Sequence, residues 1–224
     1  LIGGLIAYLY NRYTIPQYWS EASMMILNEN ENNMASALPS GGGSILTFNE
    51  NTLDNQIVTL RSKRLVQEVV LELNHNISYF IEGNVIATEA YKSSPLLIQF
   101  ITPDSIVHNT TKTFFVTPVS DTEYTLVDEE LDYKSSHRIG EIVALDELEF
   151  SIIPKSDGVN PIFRSSTTVQ INIKPVDHVA GDYISRLEIG PKGKAKDILS
   201  LSITHPESNK SRDFLNNLMV QCNA

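Results

Sequence analysis

Cysteine is almost missing from this sequence: Cys222 is the single one among 224 residues. An internal disulfide is therefore impossible, and so is a metal site built on several thiolates. The absence excludes a disulfide-stapled secreted scaffold, and a lone cysteine near the end of a helical stretch reads as a small buried apolar residue. Basic residues are also scarce, with 17 Lys and Arg against 27 Asp and Glu and a net charge of −10. Nucleic-acid phosphates need a basic stripe that such a chain lacks. Attachment to anionic lipid through a basic face is excluded on the same ground.

Catalytic signatures are lacking as well. There is no Gly-x-Ser-x-Gly nucleophile turn. The histidines are His75, His108, His137, His178 and His205, and no two stand at i, i+3 or i+4, so no local zinc pair exists. Gly190-Pro-Lys-Gly193-Lys194 is too short for a phosphate-binding loop, has no hydroxyl residue after its lysine, and sits in helix–loop–strand order. Two acidic clusters are present, Asp128-Glu129-Glu130 with Asp132 and Asp146-Glu147 with Glu149. Carboxylate pairs perform glycosidase chemistry only where their environments separate their pKa values; these stretches are polar and turn-like, which predicts solvated loops. Asn76-Ile-Ser78 and Asn109-Thr-Thr111 match the glycosylation pattern. The sequence thus predicts no catalytic, cofactor-binding or metal-ligating residue, and the chain reads as non-enzymatic.

What is present begins with Leu1-Ile-Gly-Gly-Leu-Ile-Ala-Tyr-Leu-Tyr10, an uncharged apolar run followed by Asn11-Arg12-Tyr13. At about 1.5 Å per helical residue it would cover roughly half of a ~30 Å hydrocarbon core. Tyr8, Tyr10 and Tyr13 stand where an interfacial aromatic belt would lie. Residues 1–10 are expected to be the end of a transmembrane helix; the alternative is a buried helix or strand at a domain start. The remaining residues, 11–224, have globular composition, with 42% hydrophobic and 20% charged residues.

Alternation predicts a strand over Tyr18–Leu27, then a polar connection over 28–44 that should be mobile. A helix is predicted from Thr52, with Leu53, Ile57 and Leu60 on one stripe. Ser62 is expected to cap a second helix carrying Leu65, Val66, Val69, Val70 and Leu73 on its core face. Ile77–Ile81 is a short apolar run, residues 84–91 suit another helix, and a strand is predicted over Leu96–Ile101. From Thr113 to Ile173 short β-branched and aromatic runs alternate with turn residues, the pattern of an antiparallel β region. A helix is then predicted over Pro175–Leu187, broken by Ile189-Gly190-Pro-Lys-Gly193. A half-buried strand over Ile198–Ile203 follows, and last a helix from Pro206 bearing Phe214, Leu215, Leu218, Met219 and Cys222.

This order resembles the Wzz-type chain-length determinants, the polysaccharide co-polymerases of bacterial surface glycans. The residues that carry the resemblance are Tyr18-Trp-Ser-Glu-Ala-Ser-Met-Met-Ile26, Ile57-Val-Thr-Leu-Arg-Ser-Lys-Arg-Leu-Val-Gln-Glu-Val-Val70 and Leu199-Ser-Leu-Ser-Ile-Thr-His-Pro206. The last segment looks most like the periplasmic part of Wzc-like exopolysaccharide tyrosine autokinases. The resemblance implies an α+β domain, a mixed sheet packed with helices, in which 113–173 is an inserted antiparallel β subdomain. It implies a domain facing the periplasm at the bacterial inner membrane, flanked by two membrane helices and assembled as a homo-oligomeric ring. Its implied partners are the membrane, the polysaccharide polymerase and export machinery, and the lipid-linked or growing polysaccharide; nucleic acid is not among them. No cofactor is implied for this segment, and any kinase domain would lie outside it. The rival readings are a periplasmic ligand-sensing domain of a transmembrane receptor and a secreted carbohydrate-active enzyme using the acidic clusters.

Overall fold

Strand-period alternation governs 41% of the chain and helix 30%. The computed structural model describes residues 3, 13–25, 48–83, 87–155, 167–193 and 198–222. In chain order the elements are β1 (Tyr18–Met25), α1 (Phe48–Leu60), α2 (Lys63–Glu72), β2 (Ile77–Ile81), β3 (Thr88–Glu89), β4 (Leu96–Phe100) and α3 (Asp104–Val107). There follow β5 (Lys112–Pro118), β6 (Glu123–Asp128), β7 (Tyr133–Arg138), β8 (Ile142–Leu145) and β9 (Leu148–Pro154). The chain ends with β10 (Val169–Ile173), α4 (Val176–Arg186), β11 (Leu187–Pro191), β12 (Ile198–His205) and α5 (Ser208–Cys222). This is an α+β protein whose sheets are antiparallel. It divides into two compact units: Leu1–Gln17 with Val70–Val179, and Tyr18–Val69 with Ala180–Ala224.

The first unit is β-rich. Its six-stranded sheet runs β3-β2-β10-β5-β6-β7 and its three-stranded sheet β4-β9-β8. Every second residue is buried along β5 (Lys112, Phe114, Val116, Pro118), β6 (Tyr124, Leu126, Asp128) and β10 (Val169, Ile171, Ile173), as the two-residue period of a strand requires. These inward residues share one core with Leu96, Ile98, Phe150 and Ile152 of the smaller sheet. The Phe114 and Phe150 rings meet across the gap with centroids 5.0 Å apart. The Ile98 N–H of β4 donates to the Tyr79 hydroxyl of β2 at 3.2 Å, a second tie between the sheets.

The second unit places α5 on one face of the sheet β1-β12-β11, with α1 against α5. β1 pairs with β12 along its full length, from Tyr18 opposite His205 to Met25 opposite Ile198. Met24 with Leu199, Leu201 and Ile203 forms the buried face, and α5 packs on β1 and β12, burying Phe214, Leu215 and Leu218. The expected stripe is therefore present, with Met219 at its half-buried margin. Ser62 caps α2 as its sequence predicts: its Oγ lies 3.4 Å from the Leu65 N–H and its carbonyl accepts from Val66. At α5 the capping residue is Glu207, one place after the proline expected to begin the helix, and its carboxylate accepts the Lys210 N–H at 2.5 Å.

Several expectations are revised. Among the described residues all the strand pairs are antiparallel, not mixed; β-hairpins and returning chain segments build these sheets, and no described strand–helix–strand crossover joins parallel neighbours. In place of a helix near residue 89, Thr88–Glu89 adds to β2, and the Ala90 N–H donates to the Tyr79 carbonyl at 2.8 Å. The Gly190-Pro191 segment continues as β11 because Pro191 falls at a strand end on the sheet edge, where a missing N–H is harmless. The segment 113–173 is not self-contained: β10 lies between β5 and β2, and β9 pairs with β4. The expected span over 1–10, apart from residue 3, and the polar connection over 28–44 lie outside the described residues. No described helix is long and apolar enough to cross a membrane.

Excising 113–173 behind a Gly/Ser linker removes the partner of β4 and leaves β2 only the two-residue β3, but removes no partner of β1, β11 or β12. Hydrogen exchange on that deletion is expected to keep protection in β1 and β12 and to lose it in β2 and β4. Protection retained across β2 would show that the insertion is separable at 113.

Candidate functional site

Two turns that the sequence marks only as acidic converge on one lysine. Lys112 opens β5 on the inward phase and is 9% exposed; Asp128 closes β6 on the same phase and is fully buried. The Lys112 Nζ stands 3.6 Å from Asp128 Oδ2, 3.5 Å from Glu130 Oε2 and 3.6 Å from Asp146 Oδ2. Asp128 and Glu130 come from the β6–β7 turn, while Asp146 comes from the β8–β9 turn of the other sheet. Asp128 Oδ1 holds its own turn by accepting the N–H groups of Glu130 at 2.9 Å and Leu131 at 3.2 Å. Asp132 and Asp146 take left-handed backbone, φ 50° and 57°, which aspartate tolerates better than most residues. Burial lowers the Lys112 pKa, but Asp128, Asp146 and Glu130 outweigh it, so the ammonium sits above the ordinary lysine range. The carboxylates face a lysine, not each other across a cleft. The arrangement is an electrostatic clasp between two hairpin turns.

A second polar group lies along β7. The Tyr133 hydroxyl is 2.9 Å from His137 Nε2, and His137 Nδ1 is 3.3 Å from Glu141 Oε1. The Arg138 N–H donates to Glu141 Oε2 at 2.8 Å, and this bond, then the His137 contact, holds the Glu141 carboxyl below the usual range. Beside them Tyr124 is fully buried, and its hydroxyl has no hydrogen-bond partner among the described residues. Burial first, and the Glu141 charge second, push that phenol well above the ordinary tyrosine value. The Tyr–His–Glu series has the order of a proton relay, and its hydrogen bonds join the β7 strand to the following turn, where the chain passes from the six-stranded sheet to the three-stranded one.

In the second unit the outward face of β1-β12-β11 is polar and interconnected. Glu21 Oε1 accepts from Ser200 Oγ at 2.6 Å and pairs with Lys192 Nζ at 3.1 Å; Lys192 also donates to Ser23 Oγ at 2.8 Å. The Ser200 bond and then Lys192 lower the Glu21 pKa. Ser202 Oγ stands 3.5 Å from Glu188 Oε2 on the same face. Trp19 and Met25, 62% and 64% exposed, flank this network. On the inward side His205, Tyr183 and Phe214 form a stack, with ring centroids 6.2 and 4.0 Å apart. Cys222 Sγ contacts Gln56 at 3.5 Å, and burial raises its thiol pKa. This face thus presents hydrogen-bonded charges, hydroxyls and an exposed indole on one side of the sheet.

The remaining marked residues do not converge. His75 is buried against the Tyr91 hydroxyl at 3.0 Å, His108 follows α3, and His178 is exposed on α4. Among the described residues no three His, Cys, Asp or Glu side chains could hold a metal ion. Asn76 of the first sequon is 3% exposed, which closes it to glycosylation, whereas Asn109 is exposed. Sequence reading missed Lys112 and Asp128 as a pair; the available signal was their inward phase on otherwise apolar strands.

No family model matches this chain, and no curated protein matches it. Two crystal structures of FlgL from Xanthomonas campestris, in space groups H3 and C2, are each similar at 11% identity and a TM-score of 0.24. Each likeness covers 65% of this chain and 41% or 40% of the FlgL chain, so the match spans under half of those proteins. At that TM-score the likeness bears on neither fold nor function.

Replacing Lys112 with Met leaves the buried Asp128 without its counter-charge. The expected loss of unfolding free energy is about 3 kcal/mol by denaturant titration, with part of it regained in Lys112→Met/Asp128→Asn, whose amide oxygen still accepts the Glu130 and Leu131 N–H groups. A neutral single variant would show that the clasp contributes no stability.

Acid stability gives a separate check. Glu21 and Glu141 have lowered folded pKa values, so their contribution is present above the ordinary glutamate pKa of about 4.3 and fades as pH falls through the folded values. Melting temperatures of Glu21→Gln and Glu141→Gln are expected to fall less steeply below that pH than those of the parent. Parallel curves would remove these carboxylates from the acid transition.

Proposed function

We propose that this chain is the periplasmic domain of a membrane-anchored polysaccharide co-polymerase, which oligomerises to regulate chain length and export of a capsular polysaccharide or exopolysaccharide. In this reading residues 1–10 end a first membrane helix at the bacterial inner membrane, and 113–173 forms the body of a β-rich insertion. The partners are further copies in a ring, the polymerase and export machinery, and the lipid-linked or growing glycan. The chain itself acts without catalysis.

One observation supports this reading above the others. The outermost segments of the Wzz resemblance, represented by β1 and β12, are antiparallel neighbours in one sheet, with Tyr18 opposite His205. A domain held between two membrane spans must bring its chain back beside its point of entry, and this register does so. The β-rich unit is then an excursion from that return, which suits an insertion in a scaffold. A ligand-sensing periplasmic domain is the alternative and shares the membrane anchor, but would keep few subunits around one closed pocket.

The test is made on the full-length gene product, purified in detergent and measured by light scattering and electron microscopy. A large ring is expected, and deletion of the gene should change the length distribution of the surface polysaccharide. A strictly monomeric full-length protein would defeat the co-polymerase reading and favour the sensor.

A further inference from the structure

An unpaired strand edge presents N–H and C=O groups to any second strand, and proteins blunt such edges with proline, positive charge, shortness or cover. Most edges in the two units carry such a device. β11 ends in Pro191, and its Leu187 carbonyl accepts from Arg61 Nη2 at 3.3 Å. β7 carries Lys134 and Arg138, β3 is two residues long, and β8 is four. The Ile98 N–H of β4 is taken by Tyr79. β1 is different: it is eight residues long, contains no Pro, Gly, Lys or Arg, and has no described strand on its outer side. A groove of about 200 Å³ runs beside it, between Ser20–Ala22 and the α5 residues Arg212 and Leu215.

We propose that β1 pairs with β1 of a second copy, antiparallel, about a twofold axis through Ala22. The occupant follows from the strand's self-complementarity. Residues equally spaced from Ala22 stand opposite each other, so Trp19 faces Met25 of the second copy and Glu21 faces its Ser23. Equal spacing about a residue keeps buried faces together, whereas a slip by one residue would exchange them. Trp19 and Met25 are the two large exposed apolar side chains on the outward face of β1, and indole and thioether sulfur attract one another. The charges also complement. Lys192 already lies on Ser23, so the Glu21 carboxylate of the second copy arrives beside an ammonium group. Centring the axis on Glu21 instead would set two glutamates opposite each other, which is repulsive. The contact is isologous and closes at two copies, and the blunted β11 edge prevents growth into a longer sheet. The pairing does not rest on the polysaccharide reading.

Sedimentation equilibrium of the 224-residue chain in mild detergent tests this pairing. A reversible dimer is expected. Trp19→Lys and Met25→Lys should each weaken it by about tenfold or more while leaving the thermal transition unchanged at concentrations where the parent is monomeric. Lys192→Glu should also weaken it, and adding Glu21→Lys should restore it. In a Cys222→Ser background, Ala22→Cys should cross-link two copies on oxidation, because only that position meets itself at the axis. A monomer at all concentrations would overturn the proposal, and so would a dimer indifferent to both lysine substitutions. A larger assembly indifferent to Trp19→Lys would favour the ring while overturning the β1 pairing.

Discussion

The antiparallel ladder between Tyr18–Met25 and Ile198–His205 is the contact on which the second unit depends. It joins residues from opposite ends of the sequence, so the intervening chain must be closed into a loop before any of its bonds form. Closure entropy grows only logarithmically, about 0.6 kcal/mol per doubling of length, so a large β-rich unit within the loop adds little to the equilibrium cost. It does slow folding, because non-local pairing is rewarded late. α5 relies on the same ladder: its buried Phe214, Leu215 and Leu218 have a sheet to cover only after β1 and β12 have met.

Inside the β-rich unit the corresponding constraint is β10, which pairs on both sides and carries Val169, Ile171 and Ile173 into the core. Two sheets packed through apolar side chains alone can still slide or splay at their turns. Lys112 opposes this at one end by holding Asp128 and Glu130 from one sheet and Asp146 from the other. A buried ion pair gains little net stability over an apolar pair of the same shape, because desolvation offsets attraction. Its directional demand is what distinguishes it: a single arrangement of the two turns satisfies the lysine. The Tyr133–His137–Glu141 series does similar work at the β7–β8 corner. These polar groups fasten turns and corners, while the outward face of β1-β12-β11 carries a separate network of Glu21, Lys192, Ser23 and Ser200.

Local pattern alone determined a good deal of this protein. Alternation placed β1 and β12, helical stripes placed α2 and α5, and Ser62 marked its cap, because each signal concerns residues close in sequence whose burial repeats with the element's own period. The same pattern marked the β character of 113–173. Tertiary structure decided the rest. Thr88–Glu89 became a strand because β2 offered an edge, and Gly190-Pro191 stayed in a sheet because its partner β12 lay on one side only. The partners of β9 and β10 lie before residue 113, and no spacing within the segment encodes a partner outside it. Asp128 and Asp146 look alike in sequence, each an acid at a turn, yet one is fully buried and the other exposed. The difference is strand phase and what stands across the sheet. Periodicity is a property of one segment, whereas burial of a charge, strand order and an open edge are properties of which segments meet, and only the folded chain fixes those.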